Sequence, residues 1–192
     1  MAATEPLSSA SPFDAARLES VFNNLFSATC ATRLRGGAEE PLYQPAAVAG
    51  ELHTLHYRQD FFASALHEIA HWCIAGDERR QLFDFGYWYA PEGRSLDQQK
   101  AFEAAERKPQ ALEWYFSKAC AYRFQASIDN FDLAEAELHQ VDDFRQALLL
   151  QALNWRKIGL PDRAAEFYLA LCSEFGTVVP AHRQSFTLAD LC

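Results

Sequence analysis

The stretch that decides the fold is FFASALHEIAHWCIAG, residues 61–76. Phe61, Phe62, Leu66, Ile69, Ala70 and Cys73 recur at helical spacing. They predict an amphipathic helix with Asp60 as its cap and Gly76 as its stop. Residues four apart on a helix stand one above the other on the same face. His67 and His71 can therefore offer ring nitrogens to one ion, with Glu68 between them, in the HExxH pattern of a helical metal site. The apolar surroundings favour that reading, because two buried histidines without partners are costly.

A divalent site needs a third protein ligand. In the longer zinc-protease pattern HExxHxxGxxH a glycine turns the chain ahead of the last ligand. Here Ile74 occupies the glycine position, Asp77 the ligand position, and the glycine is displaced to Gly76. Asp77 is one candidate; Glu103, Glu106 and Glu113, on later helices, are the others. Glu103 and Glu106 share a face. Glu106 stands where the chain is expected to turn ahead of Pro109, because Lys108 is biased away from helix. Glu113 lies off the core face formed by Leu112, Tyr115 and Phe116. Two histidines and a carboxylate suit zinc, with Glu68 as the base of a hydrolase. The same donors form the facial triad of non-heme iron(II) oxygenases. Spacing alone does not choose between them. His53 and His56 fall on opposite faces of a strand and cannot pair; His139 and His182 are isolated.

Outward from this helix, the pattern predicts an α+β fold. ELHTLHY (51–57) alternates as a strand does, and aromatic-rich QLFDFGYWYAPEG (81–93) reads as a second, with Phe83, Phe85, Tyr87 and Tyr89 on one face. Ser11 and Pro12 predict the start of a helix over 12–27. Gly36-Gly37 predicts a turn, with a short extended piece at Leu42 to Gln44. A helix capped by Ser95 or Asp97 is expected to reach Glu106, and Pro109 to begin another. The part from residue 130 to 192 reads as helical, with Gly159 and Gly176 ending its last two helices. Residues 1–10 are expected to be a disordered tail, and 11–192 a single catalytic domain.

The bulk numbers narrow the partners. A formal charge of −9 argues against holding nucleic acid through its phosphates. No apolar run approaches the length of a membrane span, and MAATEPLSSASPF lacks the basic and apolar regions of a secretory signal. The five cysteines are scattered, without CxxC spacing, which fits a reducing cytoplasm.

Four segments carry a resemblance: TRL…EEPLYQPA (32–46), FFASALHEIAHWCIAG (61–76), RR…DFGYWYAPEGR (79–94) and FEAAERKPQALEWYF (102–116). Together they resemble the bacterial elongation factor P hydroxylase family. The resemblance implies a protein hydroxylase acting on the β-lysylated lysine of elongation factor P. It implies a mononuclear Fe(II) cofactor, molecular oxygen, and a fold similar to a small metal-dependent ribonuclease. Carried over, it places the metal on His67, His71 and Glu106. Glu68 is the candidate catalytic residue, as a proton carrier, a partner of the ligands or a structural group. Asp77, Glu78 and Asp84 are expected near the approach of a cationic lysine arm, and Phe85 to Tyr89 along the pocket wall.

Overall fold

The computed structural model describes residues 11–84, 95–127 and 138–191. The expected tail at 1–10 lies outside them, as do Phe85, Tyr87 and Tyr89. The described chain is α+β, with three strands forming one mixed sheet and five α-helices, the first two of which pack on the sheet.

Helix α1 (Ala15–Thr29) begins later than the sequence suggests. Asp14, rather than Ser11, is its cap, accepting from the Ala16 amide at 2.9 Å. Strand β1 (Thr32–Ala38) runs straight through Gly36-Gly37, where a turn was expected. The glycines serve a bulge and a close approach. The register with β3 shifts between Arg35 and Ala38, and Gly37 has φ 85°. A Cβ on Gly36 would meet the Tyr57 ring at 2.6 Å and the Gln59 carbonyl at 2.7 Å. The free edge of β1 is occupied by side chains of α1. Leu34 N–H donates to Asn23 Oδ1 (2.7 Å) and Gly36 N–H to Glu19 Oε1 (2.7 Å).

Strand β2 (Leu42–Gln44) and the central strand β3 (His53–Arg58) complete the sheet in the order β1-β3-β2. β1 pairs parallel to β3, and β2 antiparallel to it. Leu34, Tyr43, Leu55 and Tyr57 point to the buried face. The expected strand 81–93 is not formed in its described part. Arg79–Gln81 make a 3-10 turn, Leu82 and Phe83 are exposed, and Asp84 forms an antiparallel bridge to Tyr43.

Helix α2 (Phe62–Ile74) is the helix read from residues 61–76, with two differences. Asp60 does not cap it, and Phe61 is exposed just outside it. The chain leaves through Ala75 in extended conformation (φ −64°, ψ 128°), so no left-handed glycine is needed at Gly76.

Helix α3 (Leu96–Ala119) overturns the expected break at Pro109. Ser95 caps it in a reciprocal arrangement with Gln98, and Pro109 lies inside one continuous helix. An interior proline costs about 3 kcal/mol. Residues 109–116 are buried all round, and each fully buried large apolar side chain contributes roughly 1.5–3 kcal/mol. Leu112 and Phe116 alone offset the proline.

Helices α4 (Leu138–Ile158) and α5 (Asp162–Phe175) are the expected last two helices, with Gly159 (φ 95°) and Gly176 (φ 71°) in left-handed conformation after them, and each packs against α3. Phe167 of α5 meets Phe22 and Phe26 of α1 and Phe116 of α3, and Trp72 of α2 meets the same α1 pair at steep ring angles. The C-terminal helices thereby share one core with the helix that carries the histidines.

Candidate metal centre

α2 and α3 pack side by side and supply the polar atoms between them. His67 and His71 point the same way from α2, their Nε2 atoms 3.1 Å apart. Glu106, buried on α3, sets Oε2 3.4 Å from His67 Nε2 and Oε1 3.1 Å from His71 Nε2. Among the described residues these three form the one group able to hold a metal ion, each offering a ligand atom within 4.8 Å of the others.

Glu106 reaches this place from the middle of a helix. The expected chain turn at Glu106 is absent because α3 continues through Pro109. Gln110, one turn on, donates from Nε2 toward Glu106 Oε2 at 3.4 Å. Its amide also clamps the segment after α3, donating to the Ser127 carbonyl (2.7 Å) and accepting from the Ser127 amide (3.0 Å). Glu113, buried two turns along, meets His67 Nδ1 at 2.9 Å. With Glu113 accepting the proton on Nδ1, the Nε2 lone pair of a neutral His67 faces the other donors. The donor set fits a divalent ion: two imidazole nitrogens, one anionic oxygen and an outer carboxylate fixing a ring.

The carboxylates around His67 favour its charged form. Burial works against a charged His67, but Glu106, Glu113 and Glu68 outweigh it and carry the ring up to about 10. Burial alone would lift Glu106; the two rings and the Gln110 amide overcome it and bring the carboxyl to about 2. Glu113 is shifted upward, chiefly by burial and in part by the charge of Glu106, against the pull of His67. Burial likewise raises Glu68, with the two histidines opposing.

The triad opens into a cleft of about 420 Å³, whose walls include Arg58, Glu68, Phe102, Tyr122 and Arg123. Glu68 also lines a smaller cavity of about 40 Å³ beside Tyr43, Trp72 and Arg80. The other acids expected at the site lie elsewhere. Asp77 is exposed and pairs with Arg80, and Glu103 accepts from Gln99 at 3.1 Å. Asp84 pairs with Arg79 at 2.6 Å and lines only the smaller cavity. His53 accepts from the Ala46 amide at 3.0 Å, as a polar-network histidine does. The cysteines Cys30, Cys73, Cys120 and Cys172 are free thiols, and Cys192 lies outside the described residues.

Reading the sequence missed Gln110 and the support that Glu113 gives to His67. The signal was present: 106, 110 and 113 follow i, i+4, i+7 and share one helical face. The break expected at Pro109 hid it. Arg163 was also missed. From α5 it donates to the carbonyls of Trp72 (3.1 Å), Cys73 (3.1 Å) and Ala75 (2.5 Å), holding the C-terminal end of the metal helix.

Residues 21–186 match the sequence model of a family described as elongation factor P hydroxylase. The chain belongs to the elongation factor P hydroxylase family. It is also 43% identical over 157 residues to a protein of Haemophilus influenzae named elongation factor P lysine hydroxylase, covering 82% of this chain and 86% of that relative. The span matched to the family contains His67, His71 and Glu106, together with Gln110, Glu113 and Arg163.

Proposed function

We propose that this protein hydroxylates the β-lysylated lysine of elongation factor P, using molecular oxygen and a mononuclear iron(II) held by His67, His71 and Glu106. The observation that carries this is the convergence of those three side chains on an open cleft, in a chain of the hydroxylase family. When bound, iron supplies redox chemistry able to attack an unactivated C–H bond, which zinc lacks.

The chain's own residues give the rest. Glu106 brings the one negative charge that two neutral histidines leave missing. Glu113 keeps the His67 ring from turning, and Gln110 restrains Glu106. The acidic cleft floor attracts the amines of a lysine arm, and the walls formed by Phe102 and Tyr122 accommodate its methylenes. Glu68, whose carboxyl burial pushes upward, lines the cleft beside His67 and His71 and is the candidate catalytic residue. Residues 11–192 act as one catalytic unit. No helix among the described residues is long and apolar enough to cross a membrane, and we place the enzyme in the cytoplasm with the translation apparatus it serves.

A second reading is kept because Glu68 stands next to His67 in HExxH: a zinc hydrolase with Glu68 as general base. Metal analysis of protein purified anaerobically, without added metal, distinguishes them, with iron expected. The deciding experiment is mass spectrometry of elongation factor P from cells with and without this protein. A gain of one oxygen atom that depends on the protein, and is lost in His67→Ala, is expected. An identical mass in both cells rejects the function.

A further inference from the structure

The sheet has a second face, turned away from the helices, and its charge is opposite to that of the molecule. Side chains alternate along a strand, so Arg33 and Arg35 of β1 share this face with Thr54, His56 and Arg58 of β3. The register places Arg33 beside Thr54 and Arg35 beside His56. All three arginines are exposed. Arg33 donates from Nε to Thr54 Oγ1 at 3.1 Å. Among the described residues none of the three forms an ion pair within 4.0 Å, although Glu39, Glu40, Glu51 and Asp60 lie on neighbouring turns. The proximity is felt by His56, whose charged form is disfavoured first by burial and then by Arg35 and Arg33.

This face is continuous with the cleft. Arg58 ends β3 and lines the cleft, and its amide is held by Ser64 Oγ (3.0 Å), one turn before His67 on α2. The cleft floor is carboxylate-rich and the sheet beside its mouth is guanidinium-rich. A substrate matching both presents a cation at its tip and acids around it.

We infer that the outer sheet face of Arg33, Arg35 and Arg58 docks an acidic surface of the protein substrate beside the lysine that enters the cleft. The inference rests on the functional reading above. Three arginines with no acidic partner within 4.0 Å among the described residues, in a chain of formal charge −9, give a local attraction that the whole molecule does not. That overall charge also disfavours a nucleic acid as the occupant. Arginine forks suit carboxylates geometrically.

The test compares steady-state hydroxylation of β-lysylated elongation factor P with that of a short peptide carrying the same modified lysine. R33E/R35E is expected to raise KM for the whole protein about tenfold or more at low salt, with kcat and the peptide kinetics unchanged. R33Q/R35Q should give a smaller rise, and R33K/R35K should restore the wild-type value. The wild-type KM should rise with salt, and that of R33E/R35E should not. Circular dichroism and melting temperature establish that each variant is folded. A KM within twofold of wild type in both the Glu and Gln variants overturns the proposal, as does an equal loss on peptide and protein. Loss of RNA retention at unchanged KM overturns it in favour of nucleic acid. Wild-type protein that leaves elongation factor P unmodified removes the functional reading, and the docking proposal falls with it.

Discussion

The imidazole of His67 meets a carboxylate at each nitrogen, Glu113 at Nδ1 and Glu106 at Nε2. The two carboxylates have different expected roles, and substitution separates them. Glu106→Ala removes a proposed ligand; metal retention and hydroxylation should be lost, as read by metal analysis and the mass assay. Glu103→Ala removes a group that among the described residues accepts from Gln99, and it should keep most of the activity. Glu113→Leu leaves all three ligands in place but frees the ring; metal affinity should fall about 10- to 100-fold. Glu113→Gln retains an acceptor for Nδ1–H and should recover much of that affinity. A metal titration in which Glu113→Leu matches wild type rejects the support assigned to Glu113. The histidine pair was legible from residues 67 and 71 alone, because i, i+4 geometry is local. The carboxylate face was not, because it depends on whether the chain stays helical past Pro109, and burial of residues 109–116 decides that.

At the scale of elements, the metal helix is held at its end by a residue far away in sequence. Arg163 donates to carbonyls at the end of α2, adding to the 3.3 Å bond that the Trp72 carbonyl accepts from the Ala75 amide, and its guanidinium lies 4.8 Å over the Trp72 ring. Arg163→Met should lower stability by about 1–3 kcal/mol, measured by denaturant unfolding, because buried acceptors lose a charged donor. Arg163→Lys should recover part of it. A Met variant as stable as wild type would show the contact to be incidental. Strand β1 teaches a related lesson. Its two glycines look like turn residues, but Gly36 is small because the Tyr57 ring passes over it, a contact between strands that no local pattern reveals. Gly36→Ala should cost about 1–3 kcal/mol through forced displacement of that ring or of the Gln59 backbone.

For the whole molecule, the donors lie on two helices, so an ion bound there joins them. Binding to the folded state alone stabilises it in proportion to RT ln(1 + [L]/Kd). Adding iron(II) under anaerobic conditions should raise the melting temperature of wild type and leave His67→Ala unchanged. The rise should shrink as pH falls, because imidazole ligands must be neutral to bind. The fold class and the helical C-terminal part were legible in the sequence, since long amphipathic runs declare themselves. In its described part the strand expected over 81–93 is met by the end of a 3-10 turn at Gln81 and a bridge from Asp84 to Tyr43, and an aromatic-rich run does not announce where such a turn ends.

The face shared by Glu106, Gln110 and Glu113 makes α3 a measured length. Each residue turns a helix by about 100°. One residue inserted or deleted between Glu106 and Glu113 therefore swings one carboxylate off the face while the other stays. The exposed stretch from Ala47 to Glu51 carries no such phase. In a library of single-residue insertions, metal retention should survive at 47–51 and vanish between 107 and 112, even in variants that still fold. Length, as much as chemical identity, is what this helix has to conserve.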